Sequence, residues 1–120
     1  MNKLLGLSLL VLANLSCSIT ANTNLTPADL AGMILRDEDF VLVDVRTPGE
    51  YQTGRIPGSL NVPHTEILTQ IPTTDKEKLI VVYCRSGNRS SQAKYALEQA
   101  GYTNVVDFGG ISRWDRELEQ

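Results

Sequence analysis

The chain has 120 residues, 42% of them hydrophobic and 21% charged, with a formal net charge of −3. That length holds one domain, and the apolar content supplies a core and excludes a disordered chain. A net negative charge argues against nonspecific nucleic-acid binding, so any positive potential has to be local.

The first residues stand apart. Lys3 gives a positive start, Leu4 to Leu12 is almost wholly apolar, and Asn14 to Thr23 is small and polar. This is the layout of a secretory signal peptide, assigned to residues 1–21. The apolar stretch is too short for a permanent bilayer span, which takes about 20 residues, and an N-terminal core helix would need the polar face that the segment lacks. Ser18 and Ala21 are the two candidate cleavage points. Leu15-Ser16-Cys17 also resembles a lipid-attachment box, with Cys17 the acylated residue in that alternative, although Asn14 stands where the box has an aliphatic residue. Cleavage after Ser18 or Ala21 leaves Cys84 as the only cysteine, and an unpaired cysteine in an oxidising compartment points to a reactive thiol.

The mature chain alternates helical and strand patterns. Thr26-Pro27 caps a helix carrying Leu30, Met33, Ile34 and Leu35, which is expected to end between Arg36 and Asp39. Phe40 to Val45 is a continuous run of the kind buried on both faces of a sheet, and Leu60 to Val62 is a shorter strand stopped by Pro63. His64 to Ile71 carries apolar residues at helical spacing. Leu79 to Tyr83 is the central strand, Gln92 to Ala100 a helix stopped by Gly101, Val105 to Phe108 the last strand, and Ile111 to Leu118 a final helix. Such alternation predicts an α/β domain with a mainly parallel central sheet and helices on both faces.

The chemistry concentrates where the central strand turns into a helix, at Cys84-Arg85-Ser86-Gly87-Asn88-Arg89-Ser90. A strand-to-helix junction aims backbone N–H groups and the positive end of a helix dipole at one point and stabilises an anion there. Thiolate is the reactive form of cysteine, and this loop with Arg85 and Arg89 favours it. Cys84 is therefore expected at the mouth of the sheet, as an activated nucleophile facing an anionic substrate. The competing reading is a buried, inert strand-end cysteine.

Four blocks in this order resemble the rhodanese family of sulfurtransferases over residues 25–120. They are Asp44-Val45-Arg46 with Glu50-Tyr51, then Gly54 to Pro63, then Cys84 to Ser90, and Gly109-Gly110 with Trp114. Arg55 departs from the second block, where histidine is common. The short length and the leader look like the single-domain periplasmic type. Four residues separate Cys84 from Arg89, whereas phosphatases and arsenate reductases of related fold carry one more, and Ser90 occupies that longer position.

The resemblance implies a rhodanese-like single domain at 25–120 that moves sulfur from thiosulfate or a similar donor to cyanide or a thiol through a Cys84 persulfide. Cys84 and Arg89 would be catalytic, with Arg85, Ser86, Gly87, Asn88 and Ser90 binding substrate and Asp44 and Arg46 supporting the loops. Ser86 and Ser90 are expected to act as loop donors and a helix cap. Trp114 either borders the pocket or packs in the core, and His64 is incidental. The partners implied are a small-molecule sulfur donor and a thiophilic acceptor, for a monomer that needs no metal or organic cofactor, binds no nucleic acid and has no membrane span. A persulfide carrier serving a protein partner is the alternative, and a phosphatase or arsenate reductase is disfavoured by loop length.

Overall fold

The computed structural model describes residues 24–120, so the leader and Cys17 lie outside the described residues. Helix α1 spans Pro27–Leu35, and Thr26 caps it: its hydroxyl accepts from the Asp29 N–H at 3.0 Å while the Asp29 carboxylate accepts from the Thr26 N–H at 3.2 Å. Strand β1 follows at Val41–Asp44, and a six-residue helix α2 at Pro48–Thr53. Helix α2 was not expected from the sequence, because none of its residues is buried and so no apolar stripe announces it. Its signal is the capping box of Thr47 and Glu50 around Pro48.

Strand β2 is Leu60–Asn61. The expected helix from His64 is shorter and composite, a 3-10 turn at His64–Glu66 running into the single turn of α3 at Ile67–Gln70. Strand β3, Ile80–Cys84, is buried at every position. Helix α4 covers Asn88–Gln99 and begins four residues before the expected start at Gln92. Asn88, Arg89 and Ser91 are polar, which makes the first turn of a helix read like loop. Strand β4 is Val105–Gly110.

The last expected helix is not there. Only Ile111–Arg113 forms a 3-10 turn, after which the chain extends and residues Arg55 and Glu119 pair as an antiparallel bridge, with N–H···O distances of 2.9 and 2.8 Å. Asp115-Arg116-Glu117-Leu118-Glu119 offers a single apolar side chain and no stripe to bury, so tertiary pairing prevails over a charged helix.

All sheet pairings are parallel, in the order β2-β1-β3-β4. Alternate residues divide the core. Leu42, Val81, Tyr83, Val106 and Phe108 pack under α1 with Trp114, while Val43, Ile80, Val82, Cys84 and Val105 pack under α4 with Ala93 and Leu97. Helices on both faces explain why the strands are apolar runs rather than alternating patterns. The chain order reverses direction between β1 and β3, and in open parallel sheets ligands bind at that switch, beyond the carboxyl ends of the strands. Cys84 ends β3 there. Among the described residues no helix is long and apolar enough to cross a membrane.

Candidate active site

Cys84 is the last residue of β3, paired with Gly110 of β4 and fully buried. Cys84 stands at the carboxyl end of the sheet, the expected mouth, but as a buried strand residue, because the chain after it curls back over the sulfur. Gly87 makes that curl possible. It takes a left-handed conformation (φ 99°) at the start of α4, where its N–H donates to Cys84 Sγ at 2.9 Å. Ser90 Oγ lies 3.4 Å from Sγ and 3.1 Å from the Gly87 carbonyl oxygen. No side chain caps α4, so the expected serine cap is corrected as well. The sulfur itself takes up an N–H at the helix start.

Burial pushes the Cys84 thiol up, but the Ser90 hydroxyl and the backbone N–H groups of Ser90, Gly87 and Ser86 outweigh it and hold it below its ordinary value. The local backbone therefore favours thiolate even in a buried place. The rate of Cys84 alkylation by iodoacetamide is expected to reach half its maximum at a lower pH than for a free cysteine. A pH–rate profile checks this, and a midpoint at or above that of a free thiol would show that burial dominates.

Close packing of β4 keeps the loop in place. A bulge shifts the register so that Val82 faces Asp107 and Tyr83 faces Gly109, and Asp107 Oδ1 accepts from the Gly109 N–H at 2.8 Å. Gly110 is thereby set against the loop so tightly that a Cβ there would lie 2.7 Å from the Arg85 carbonyl oxygen. Only glycine fits.

At the end of β1, Asp44 and Arg46 form a buried ion pair. Arg46 donates to both Asp44 oxygens, at 2.6 Å from Nη2 and 3.0 Å from Nε, and its Nη2 also donates to the Gly54 carbonyl at 2.6 Å. Asn61 Nδ2 donates to the Asp44 and Arg46 carbonyls at 3.0 and 2.9 Å. Beneath them the buried Tyr83 hydroxyl accepts from the Ile56 N–H at 3.0 Å and bonds Ser59 Oγ at 3.0 Å. Burial pushes that phenol well above its ordinary range, so it stays protonated. These bonds secure the 44–61 segment beside the Cys84 loop.

Other expected residues fall elsewhere. Trp114 packs in the core on the α1 face, with Nε1 donating to the Glu117 carbonyl at 3.1 Å, whereas Cys84 faces α4. Arg55, the departure from the resembling pattern, stacks its guanidinium 4.7 Å from the Tyr51 ring centre. Arg85 is exposed and joins no ion pair among the described residues. Arg89 is not free: Glu50 of α2 grips it with both carboxylate oxygens, at 2.7 and 3.0 Å. In the sequence Glu50 stands in the first block, and nothing local pairs it with Arg89.

A family model described as "Rhodanese-like domain" matches residues 26–117. The chain belongs to the rhodanese-like family. A "Sulfurtransferase" of Allochromatium vinosum is 45% identical over 80 residues, covering 66% of this chain and 75% of the relative. The "Thiosulfate sulfurtransferase PspE" of Escherichia coli K12 is 41% identical over 71 residues, covering 58% of this chain and 68% of the relative. Among solved structures, "rhodanese with anions from E. coli" superposes with a TM-score of 0.63 at 34% identity, covering 67% of this chain and 96% of that one. The α/β fold and the parallel sheet of this rhodanese-like chain agree with the expectation from its sequence.

Proposed function

We propose that the protein is an exported thiosulfate sulfurtransferase that works through a persulfide on Cys84. The observation that carries this reading is a sulfur held 2.9 Å from the Gly87 N–H at the start of a twelve-residue helix, a place that favours a charged sulfur. The name of the relative PspE supports thiosulfate as donor. Cys84 thiolate attacks the outer sulfur of thiosulfate, forming an S–S bond as the bond to the sulfonate sulfur breaks, and sulfite leaves with that electron pair. Cyanide then attacks the terminal sulfur of the persulfide, which becomes thiocyanate and returns the electron pair to Cys84. A thiolate acceptor reacts in the same way and leaves as its own persulfide.

Burial of Cys84 supports a donor with a small terminal sulfur, which reaches the thiolate while its charged remainder stays outside. The added sulfur extends the side chain by one bond of about 2.05 Å, among the N–H groups of residues 85–90. Arg85 and Arg89 supply the cations that the sulfonate group meets.

Arg89→Ala is expected to lower kcat/KM for thiosulfate about tenfold or more, and Arg85→Ala less, through KM. Steady-state thiocyanate formation checks both variants. Unchanged kinetics in both would mean that the backbone alone binds the donor. Export over residues 1–21 belongs to the same proposal and is tested by N-terminal sequencing of the protein recovered from the periplasm; an intact leader would refute it.

A further inference from the structure

Glu50 reaches the Cys84 loop from α2, an element so far without a part in sulfur transfer. Its Oε1 accepts from Arg89 Nη1 at 2.7 Å and its Oε2 from Arg89 Nη2 at 3.0 Å. The same Oε1 also accepts from the Thr47 N–H at 3.1 Å and the Thr47 hydroxyl at 3.0 Å. One carboxylate thus ties the first turn of α2 to the first turn of α4. Capping needs only the contact with Thr47, so the two-pronged grip on a residue 39 positions away is a separate feature. The grip uses one N–H of each terminal nitrogen, which leaves the Nε–H and two outer N–H groups for another anion.

We propose that Glu50 is a positioning residue of the Cys84 site, which holds the Arg89 guanidinium end-on so that its remaining donors meet the anionic sulfur donor, and which offsets part of its charge. This rests on the sulfurtransferase reading above. The other charges that Arg89 senses are Cys84 at the end of β3 and Asp44 at the end of β1, and Asp44 is already matched by Arg46. Hydrogen bonding to Arg89 is the main reason that the Glu50 carboxyl is held down at about 2; burial opposes it, and Thr47 assists. A depressed carboxylate contributes its pairing above its ordinary value and loses it only as pH falls through about 2, so the clasp is intact wherever Cys84 titrates.

The test is a double-mutant cycle of Glu50→Gln and Arg89→Gln with two readouts. Glutamine keeps an acceptor for the α2 cap and removes the charge. In the thiosulfate–cyanide assay, Glu50→Gln is expected to lower kcat about tenfold without raising KM, and to change it less than about twofold once Arg89 is glutamine. In the iodoacetamide profile, Glu50→Gln is expected to move the Cys84 midpoint by unequal amounts with arginine and with glutamine at position 89, because the field of the carboxylate acts in both backgrounds and its hold on Arg89 in only one. Equal effects in both backgrounds, in either readout, would overturn the proposal and confine Glu50 to capping α2. A native protein without sulfur transfer would defeat the proposed function instead, and the alkylation cycle would then decide the role of Glu50.

Discussion

Cys84→Ser is expected to reduce thiosulfate-dependent thiocyanate formation to background while the protein unfolds at nearly the native temperature. Serine is close in size and keeps a polar atom for the Gly87 N–H that now donates to Sγ at 2.9 Å, so the loop stays satisfied. An alcohol oxygen neither ionises at neutral pH nor carries a transferable sulfur. Cys84 is also the only cysteine among the described residues, which leaves no second thiol there to take over. The paired measurements are the cyanide assay and a thermal melt. Activity retained near the native level would remove Cys84 from the mechanism.

Asp44→Ala is expected to destabilise the fold by about 3–5 kcal/mol, the penalty of leaving a buried cation without its partner. Asp44 is fully buried and the Arg46 side chain is 7% exposed, so water cannot replace the lost carboxylate. Arg46 would keep only the Gly54 carbonyl. Combining Asp44→Leu with Arg46→Met in one double variant is expected to recover most of the loss, because an apolar pair leaves no charge uncompensated. Urea denaturation midpoints of the native protein and the two variants measure both effects. A loss below about 1 kcal/mol in Asp44→Ala would mean that Arg46 finds water in solution and that the pair is not a buried brace.

Particular residues show why some of this was legible in the sequence and some was not. Strands β1 and β3 announce themselves as apolar runs because helices cover both faces of the sheet. Cys84, Arg89 and the glycine between them stand in one short motif, so the strand-to-helix junction was visible before any geometry. Asp44 and Arg46 are two residues apart, a spacing at which a local pair is easy to suspect.

What escaped depends on tertiary context. Helix α2 buries nothing, so hydrophobic periodicity is silent and only its cap speaks. The first turn of α4 is polar because Asn88 and Ser91 are exposed and Arg89 is taken up by Glu50. Nothing near Glu50 names Arg89, which the chain brings to it only when α2 and α4 meet beyond the ends of β1 and β3. The tail after Trp114 pairs with Arg55, a contact between distant segments that overrides local helical preference. Burial of Cys84 entered the sequence reading only as the competing alternative for a related reason, since it follows from the left-handed turn at Gly87 and from the close approach of Gly110.

In the proposed mechanism a buried thiolate at this junction carries sulfur covalently. Intact-mass spectrometry of the protein after brief exposure to thiosulfate, without any acceptor, tests it most directly. A gain of one sulfur atom is expected, lost on adding cyanide and absent from Cys84→Ser. A native protein that keeps its original mass, or a gain that persists in Cys84→Ser, would contradict it.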